Sequence, residues 1–379
     1  MQIKNRSELK IQQQEKKPST NNPCGPGPQI EELLVNLKPS GFINGKPVFS
    51  VPTTTVLNLA SGFGHKLLCD SLTFTAGSAC VYSCSFCYVI ALLRRNKWIQ
   101  AITKGKDLKF SEIVVRREQP VEKLRKALTR RGKPKFLDPA DTRVIYASPL
   151  VDIAPTMEFV IETAEMCLVI LELTNWQIRL LSKSPLITKI AEKIPAEHQH
   201  RMIYGLSTGT LNDGIAKAIE IGTPLVSKRI EALHKLQNMG LRTYGMACPI
   251  LPQLDPKAYA ARIAEVLRVH QVEHVWAEAL NVRDESMTRT CDALRQSGYH
   301  QEAELLKCVS EDSAAWEDYA RQTFLALKEV IPANKLRFLQ YVQKDHSAWW
   351  HDQAHNGAVL LGQTVGSAPD SSLSRTIKV

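Results

Sequence analysis

The sequence predicts an α/β protein built on a parallel sheet. Two observations carry that expectation: six short strand-like runs recur along the chain, and amphipathic stretches of helical period fill the gaps between them. A helix between each pair of strands implies parallel pairing with right-handed crossovers, in a series that either closes into a barrel or stays an open doubly wound sheet. Both arrangements put a site at the C-terminal ends of the strands. With 44% hydrophobic and 23% charged residues the composition is that of a globular protein.

In chain order, residues 1–29 are polar and punctuated by Lys17-Pro18, Asn22-Pro23, Gly25-Pro26 and Gly27-Pro28. Such a composition cannot bury a core, so this stretch is predicted to be a disordered tail. The predicted strands are Ser71 to Thr75, Arg143 to Ala147, Ile178 to Ser182, Met202 to Leu206, Arg242 to Ala247 and Val275 to Leu280. Predicted helices include Val121 to Leu128, Met157 to Leu173, Leu186 to Ile194, Pro224 to Asn238 and Pro256 to His270. From Glu285 to about Gln343 the pattern reads as all-helical. The expected division is therefore a tail at 1–29, an α/β body at 30–284, a helical C-terminal extension at 285–361, and a flexible Ser- and Gly-rich tail at 362–379.

The longest apolar runs, such as Met166 to Leu173, fall far short of the roughly 20 residues a membrane span needs, and no signal-peptide core precedes them. Nine cysteines without a secretory signal point to reduced thiols, metal ligands or catalysis rather than a disulfide framework. The cytoplasm is the expected compartment.

The net charge of +10 is concentrated. Between Arg94 and Lys135 stand fifteen Lys or Arg and four acids, a local balance of +11. That density suits a polyanion, and nucleic acid is the expected partner through residues 94–135. The plain alternative is a solvated helix face and basic linker, with Glu122 and Lys126 as an ordinary i,i+4 ion pair.

Just after the first strand comes Ala76-Gly77-Ser78-Ala79-Cys80-Val81-Tyr82-Ser83-Cys84-Ser85-Phe86-Cys87-Tyr88. Three of nine cysteines fall within eight residues, where even scatter would place roughly 0.2. Three readings stand. On a helix the i, i+4, i+7 spacing would make one apolar stripe of small core residues. Three thiolates with a distant His could hold zinc, though the paired C-x2-C knuckles usual for structural zinc are missing. Three thiolates could instead bind three irons of a [4Fe-4S] cube and leave the fourth iron without a protein ligand.

Cys80, Cys84 and Cys87, with Phe86 before the third cysteine and a strand before the first, resemble the signature of the radical S-adenosylmethionine (SAM) superfamily. The resemblance implies a partial (β/α)6 TIM-like barrel with added C-terminal helices. It also implies a [4Fe-4S] cluster whose open iron chelates SAM, and reductive cleavage of SAM to a 5′-deoxyadenosyl radical that takes hydrogen from the substrate. A reducing partner such as flavodoxin or ferredoxin is implied with it.

Weaker stretches between Leu72 and Leu280 resemble the spore photoproduct lyase and DNA repair photolyase branch. Cys87-Tyr88 matches its Cys-Tyr, and Ile178-Arg179-Leu180-Leu181-Ser182-Lys183 its strand ending in Thr-Lys. By that likeness Lys183 contacts the SAM carboxylate, with Ser207 and Ser148 also at the cofactor. Glu220 with Arg229, and Pro249-Ile250-Leu251-Pro252, resemble further elements of the branch. The branch's loop after the second strand carries a hydrogen-returning cysteine. Here that stretch is Tyr146-Ala147-Ser148-Pro149-Leu150-Val151-Asp152, without a thiol. Cys248 is the thiol best placed by sequence to quench a product radical, and Tyr88 is the other candidate relay.

Lesion repair on nucleic acid, or another nucleic-acid modification, is thus the leading expectation; a base in a duplex would have to be flipped out to reach the site. A radical SAM maturase of a peptide or protein is the rival within the enzyme class, and a non-catalytic iron-sulfur or zinc nucleic-acid-binding module the rival outside it. His198 and His200 read as exposed loop residues, Trp349 and Trp350 as a helix burying its aromatic side, and Cys167, Cys291 and Cys308 as core.

Overall fold

The structure, a computed structural model, describes residues 37–52, 55–280, 285–342 and 347–361. The tails expected at 1–29 and 362–379 lie outside the described residues. The central sheet has nine strands: β1 (Leu57–Asn58), β2 (Leu72–Phe74), β3 (Val144–Ala147), β4 (Gln177–Ser182), β5 (Met202–Ser207), β6 (Thr243–Ile250), β7 (Val275–Ala279), β8 (Leu336–Tyr341) and β9 (Ala358–Leu361). Their spatial order is their chain order. All neighbours from β2 to β9 pair parallel, and β1 alone runs antiparallel on the outer edge.

The six predicted strands are β2 to β7, and the α/β class with a parallel sheet holds. The all-helical reading of Glu285 to Gln343 does not hold throughout. Helices Ser286–Gln296, His300–Glu311 and Ser313–Val330 are present, but β8 follows them inside that stretch. Beyond it, Ser347–Gln353 is the expected aromatic helix, with Trp350 fully buried, and β9 then closes the series. Strand β8 reads Leu-Arg-Phe-Leu-Gln-Tyr and buries Leu336, Phe338 and Gln340 on one face. Its interior polar residues break the apolar run that marks the other central strands.

Both faces of the sheet are apolar, as a curled sheet covered by helices requires. Leu180, Tyr204, Ala277 and Phe338 face the helices, among them Met157–Leu173, Val226–Asn238 and Pro256–Val266. Ile203, Tyr244, Met246, Trp276, Leu339 and Val359 alternate with them and meet inside the curl. Full burial of one such side chain contributes about 1.5–3 kcal/mol. Gly205 is required here, because a Cβ would lie 2.2 Å from the Tyr244 ring.

β2 and β9 do not pair. The gap between them is met by a 3-10 turn, Gly62–Lys66, which contacts both strands. Ser61 caps the turn by accepting from the Phe63 amide, and Leu67 ends it in the left-handed region. The interior then ties it down: Arg179 donates to the Leu68 carbonyl at 2.6 Å, and the Trp276 indole donates to that of Lys66 at 3.0 Å.

A second sheet, ordered Gly41–Ile43, Lys46–Val51, Val114–Arg117, Gly77–Ala79, takes its first two strands from ahead of β1 and the other two from an insertion between β2 and β3, and packs on the helix Lys97–Lys106 around Phe49, Ile99, Ile102 and Val115. The basic stretch 94–135 runs through this insertion and does not form one surface. Arg116 pairs with Glu158 and Glu162, and Arg125 grips Glu172 with two nitrogens. The hairpin Thr129–Arg130 and Lys133–Pro134 leads to Phe136, which bridges Thr174 and packs at a tilt on Trp176, ring centres 5.1 Å apart, just ahead of β4. It therefore lies toward the N-terminal ends of the strands, whereas Arg94, Arg95 and Lys97 follow the cysteine loop at the opposite end.

Candidate cofactor site

A cavity of about 600 Å³ opens at the C-terminal ends of the strands. One wall is the cysteine loop. Its three thiols all line the cavity, together with Tyr88 and Phe86. The facing wall is made by strand ends: Ser148 after β3, Lys183 after β4, Ser207 ending β5, and Cys248 in β6. All eight residues singled out from the sequence thus border one space. Asp152, Glu278, Lys66 and Tyr146 border it too, and no local sequence pattern marks them as site residues.

The cysteines are not on a helix, which removes the reading of a small-residue helical stripe. Cys84 belongs to a two-residue strand, Ser83–Cys84, paired antiparallel with Glu220–Ile221. Cys87 donates its amide to the Cys84 carbonyl at 3.2 Å, ahead of the short helix Val89–Leu93. The loop is pinned from several sides. Lys46 of the small sheet donates to the Val81 carbonyl and the Ser83 hydroxyl, both at 2.6 Å. Arg289 donates to the Ser85 carbonyl at 3.0 Å, and the Ser85 hydroxyl meets that of Thr290 at 2.9 Å. Such support fixes the loop without using its sulfurs.

Asp152 joins the loop to the barrel. Its carboxylate accepts from the Ser182 hydroxyl and the Lys183 amide at 2.7 Å each and from the Ala154 amide at 2.9 Å, while its own amide points at the Cys80 sulfur, 3.4 Å away. Burial nevertheless lifts its pKa above the ordinary carboxylate range. Ser148, one turn earlier, has φ +43°, a left-handed conformation that costs a non-glycine residue roughly 1–2 kcal/mol and is often kept at functional sites.

Lys183 is the charge at the centre of the cavity wall. Its ammonium lies 3.3 Å from the Ser207 hydroxyl, 3.5 Å from Glu220 and 5.5 Å from the Phe86 ring centre. Burial works against the charge, but Glu220 and the Cys84 sulfur outweigh it and raise the pKa above that of an ordinary lysine. Glu220 in turn meets Arg229 at 2.5 Å. Arg229, 1% exposed, also donates to the carbonyls of Ser207 and Pro224 at 3.0 Å each and to the Thr223 hydroxyl at 2.7 Å. The pair first noted in the sequence therefore holds Ser207 and Lys183 from behind.

Burial pushes the Cys80 thiol up to about 11 and raises those of Cys84 and Cys87 as well, with Lys183 pulling the last two the other way. On a metal such thiols give up their protons. Among the described residues no three His, Cys, Asp or Glu side chains converge as ligands of one ion, the three cysteines included. Across the cavity, Cys248 lies 3.7 Å from a Glu278 oxygen, and that carboxylate pairs with Lys66 at 3.2 Å. Burial and Glu278 keep the Cys248 thiol protonated. Tyr88 is 39% exposed at the mouth and donates its hydroxyl to the Pro149 carbonyl. Cys167 and Cys291 are buried as expected, but Cys308 is exposed, because it falls on the outer side of its helix.

No family model matches the chain. It is 24% identical over 251 residues to the uncharacterized protein ORF301 of Acidianus two-tailed virus, an alignment covering 65% of this chain and 79% of that one. Among solved structures it is similar to spore photoproduct lyase complexed with dinucleoside spore photoproduct, with TM-score 0.45, 11% identity and 66% of each chain covered. It is also similar to Streptococcus suis SuiB bound to precursor peptide SuiA, with TM-score 0.33, 12% identity, and 62% of this chain and 46% of that one covered. The chain spans just under two thirds of the length of that lyase chain. No helix among the described residues is long and apolar enough to cross a membrane.

Proposed function

We propose that this protein is a radical SAM enzyme with Cys80, Cys84 and Cys87 as ligands of a [4Fe-4S] cluster and Lys183, Ser207 and Ser148 as contacts to SAM. The observation that carries the reading is the placement of three free thiols and one half-buried lysine around a single cavity at the C-terminal ends of parallel strands. The donor set fits the group. Three thiols that border one cavity can each take one iron of a cube and leave the fourth iron without a protein ligand. When bound, the cluster and SAM supply one-electron chemistry: reductive cleavage of SAM and removal of a hydrogen atom from a substrate carbon.

The chain's own residues then have distinct tasks. Lys183 offers a cation for the SAM carboxylate, and the Glu220–Arg229 pair fixes its direction. Asp152 holds the amide of Lys183 and the approach to Cys80 in one geometry. Cys248, kept as a thiol, is placed to return a hydrogen atom, with Tyr88 at the mouth as the second candidate. The apolar walls exclude water, which protects reactive species.

The substrate class we favour is nucleic acid. Tyr88 and the exposed Leu92 offer a face for a base beside the mouth, and the exposed cations Arg95 and Lys97 follow directly for the backbone. A small one-electron donor such as flavodoxin or ferredoxin would deliver the electron. The test is anaerobic reconstitution with iron and sulfide, reduction, and assay of 5′-deoxyadenosine in wild type and Cys84→Ala, with and without DNA or RNA. The reading requires product from wild type only, with turnover raised by nucleic acid in a salt-sensitive manner. Equal product from Cys84→Ala would dispose of it.

A further inference from the structure

The opposite end of the barrel holds a second concentration of charge that the proposed chemistry does not use. Inward positions of the strands bring Arg179 of β4, Tyr244 of β6, Arg337 of β8 and His274, just before β7, to the N-terminal end of the interior. The Arg179 guanidinium lies 4.8 Å from the Trp276 ring centre and 5.5 Å from that of Tyr244, and the His274 ring lies 5.2 Å from Trp276. Arg242 and Lys335 act on the same histidine.

One carboxylate, Glu273, acts on both Arg242 and Arg179, which leaves the cluster with more cations than acids. Glu273 is held by Arg242 at 2.5 Å, and among the described residues neither Arg179 nor Arg337 has an acidic partner within ion-pair distance. Arg179 is 6% exposed. Its Nη1 is used on the Leu67 and Leu68 carbonyls, and Arg337 reaches only the carbonyl of Leu336. Three buried polar atoms lack a partner: Arg179 Nε, Tyr244 Oη and His274 Nδ1. Burial and the surrounding guanidiniums push the His274 pKa down to about 4, so its ring is neutral and able to donate. A buried cation without a counter-charge is costly, and unpaired donors beside it add to the cost. Water would satisfy the donors but would leave the charge.

We propose that the N-terminal end of the barrel is an oxyanion-binding site that takes inorganic phosphate or a phosphate monoester between Arg179, Arg337 and His274. Guanidinium groups match such an oxyanion in geometry as well as charge. Arg179 stands four residues before Lys183 along β4, about 13 Å at roughly 3.3 Å per residue, and the site uses none of the residues assigned to the cluster or SAM.

The test uses the full chain without reconstitution. Inorganic phosphate is titrated at constant ionic strength, against chloride, with thermal unfolding and calorimetry as readouts. The expected result is a saturable phosphate-specific rise in Tm, with Kd weakened at least about tenfold in both Arg337→Gln and His274→Gln. Arg337 is the safer variant because its side chain is only partly buried, and Arg125→Gln on the outer helix should respond as wild type does. A nucleoside 5′-monophosphate titrated in parallel distinguishes the sources: tighter binding than inorganic phosphate assigns the site to the ester, equal or weaker binding to the free ion. No phosphate-specific shift in wild type, or an undiminished one in both variants, overturns the proposal.

Discussion

Arg229→Met tests how the barrel holds Lys183. The wild-type guanidinium makes one ion pair and three hydrogen bonds at 2.5–3.0 Å from a 1% exposed position. Its loss leaves Glu220 short of a partner and frees two buried carbonyls. Breaking a buried pair from one side costs about 3–5 kcal/mol. The low end applies, because Lys183 remains 3.5 Å from the other Glu220 oxygen. Unfolding entropy of about 2.1 cal/mol/K per residue converts 3 kcal/mol into a Tm loss of roughly 4 °C for a protein of 379 residues. Glu220→Gln keeps an acceptor for Arg229 but leaves Arg229 and Lys183 without a counter-charge, and should also cost about 3 kcal/mol. In the double variant only Lys183 loses a counter-charge, so it should be less destabilised than the sum of the singles by at least about 1 kcal/mol. The assay is denaturant unfolding of all four proteins. An Arg229→Met protein within about 0.5 kcal/mol of wild type, or strictly additive variants, would refute the account of this network.

Other expectations follow from individual contacts. Gly205→Ala should destabilise by about 1–3 kcal/mol in thermal melts, since its Cβ would overlap the Tyr244 ring. Lys46→Met removes two 2.6 Å bonds to the cysteine loop and should speed alkylation of Cys80 and Cys84 in the metal-free protein, with an unchanged rate counting against the tether. Asp141 is held down at about 2 by Arg143 and then by the Trp176 indole. Its folded pKa lies below the unfolded value, so its contribution is present above about pH 4 and lost as pH falls toward 2. Partial exposure of Arg143 limits this to roughly 1 kcal/mol, and Asp141→Asn should flatten that part of the stability profile.

Local chemistry was legible in the sequence, and long-range geometry was not. The cysteine spacing announces itself within eight residues, and β2 to β7 show as apolar runs because both of their faces are buried. Strand β8 escaped because Arg337 and Gln340 interrupt its apolar character after three helices. Lys66 and Glu278 stand 212 positions apart and meet only because the 62–66 turn enters the gap between the edge strands. No local pattern marks such a meeting. Likewise the basic stretch 94–135 has one sign in sequence but two ends in space, since Arg116 and Arg125 are used by helix carboxylates and the hairpin turns toward the far end of the barrel.

The central claim is that the cavity between the cysteine loop and Lys183 holds an iron-sulfur cube with SAM against it. Iron analysis and electron paramagnetic resonance of the anaerobically reconstituted, reduced protein address it most directly. The account expects about four irons per chain, a reduced-cluster signal that changes when SAM is added, and loss of that change in Lys183→Ala with iron retained. Zinc in place of iron, or a cluster signal indifferent to SAM in the wild-type protein, would contradict it.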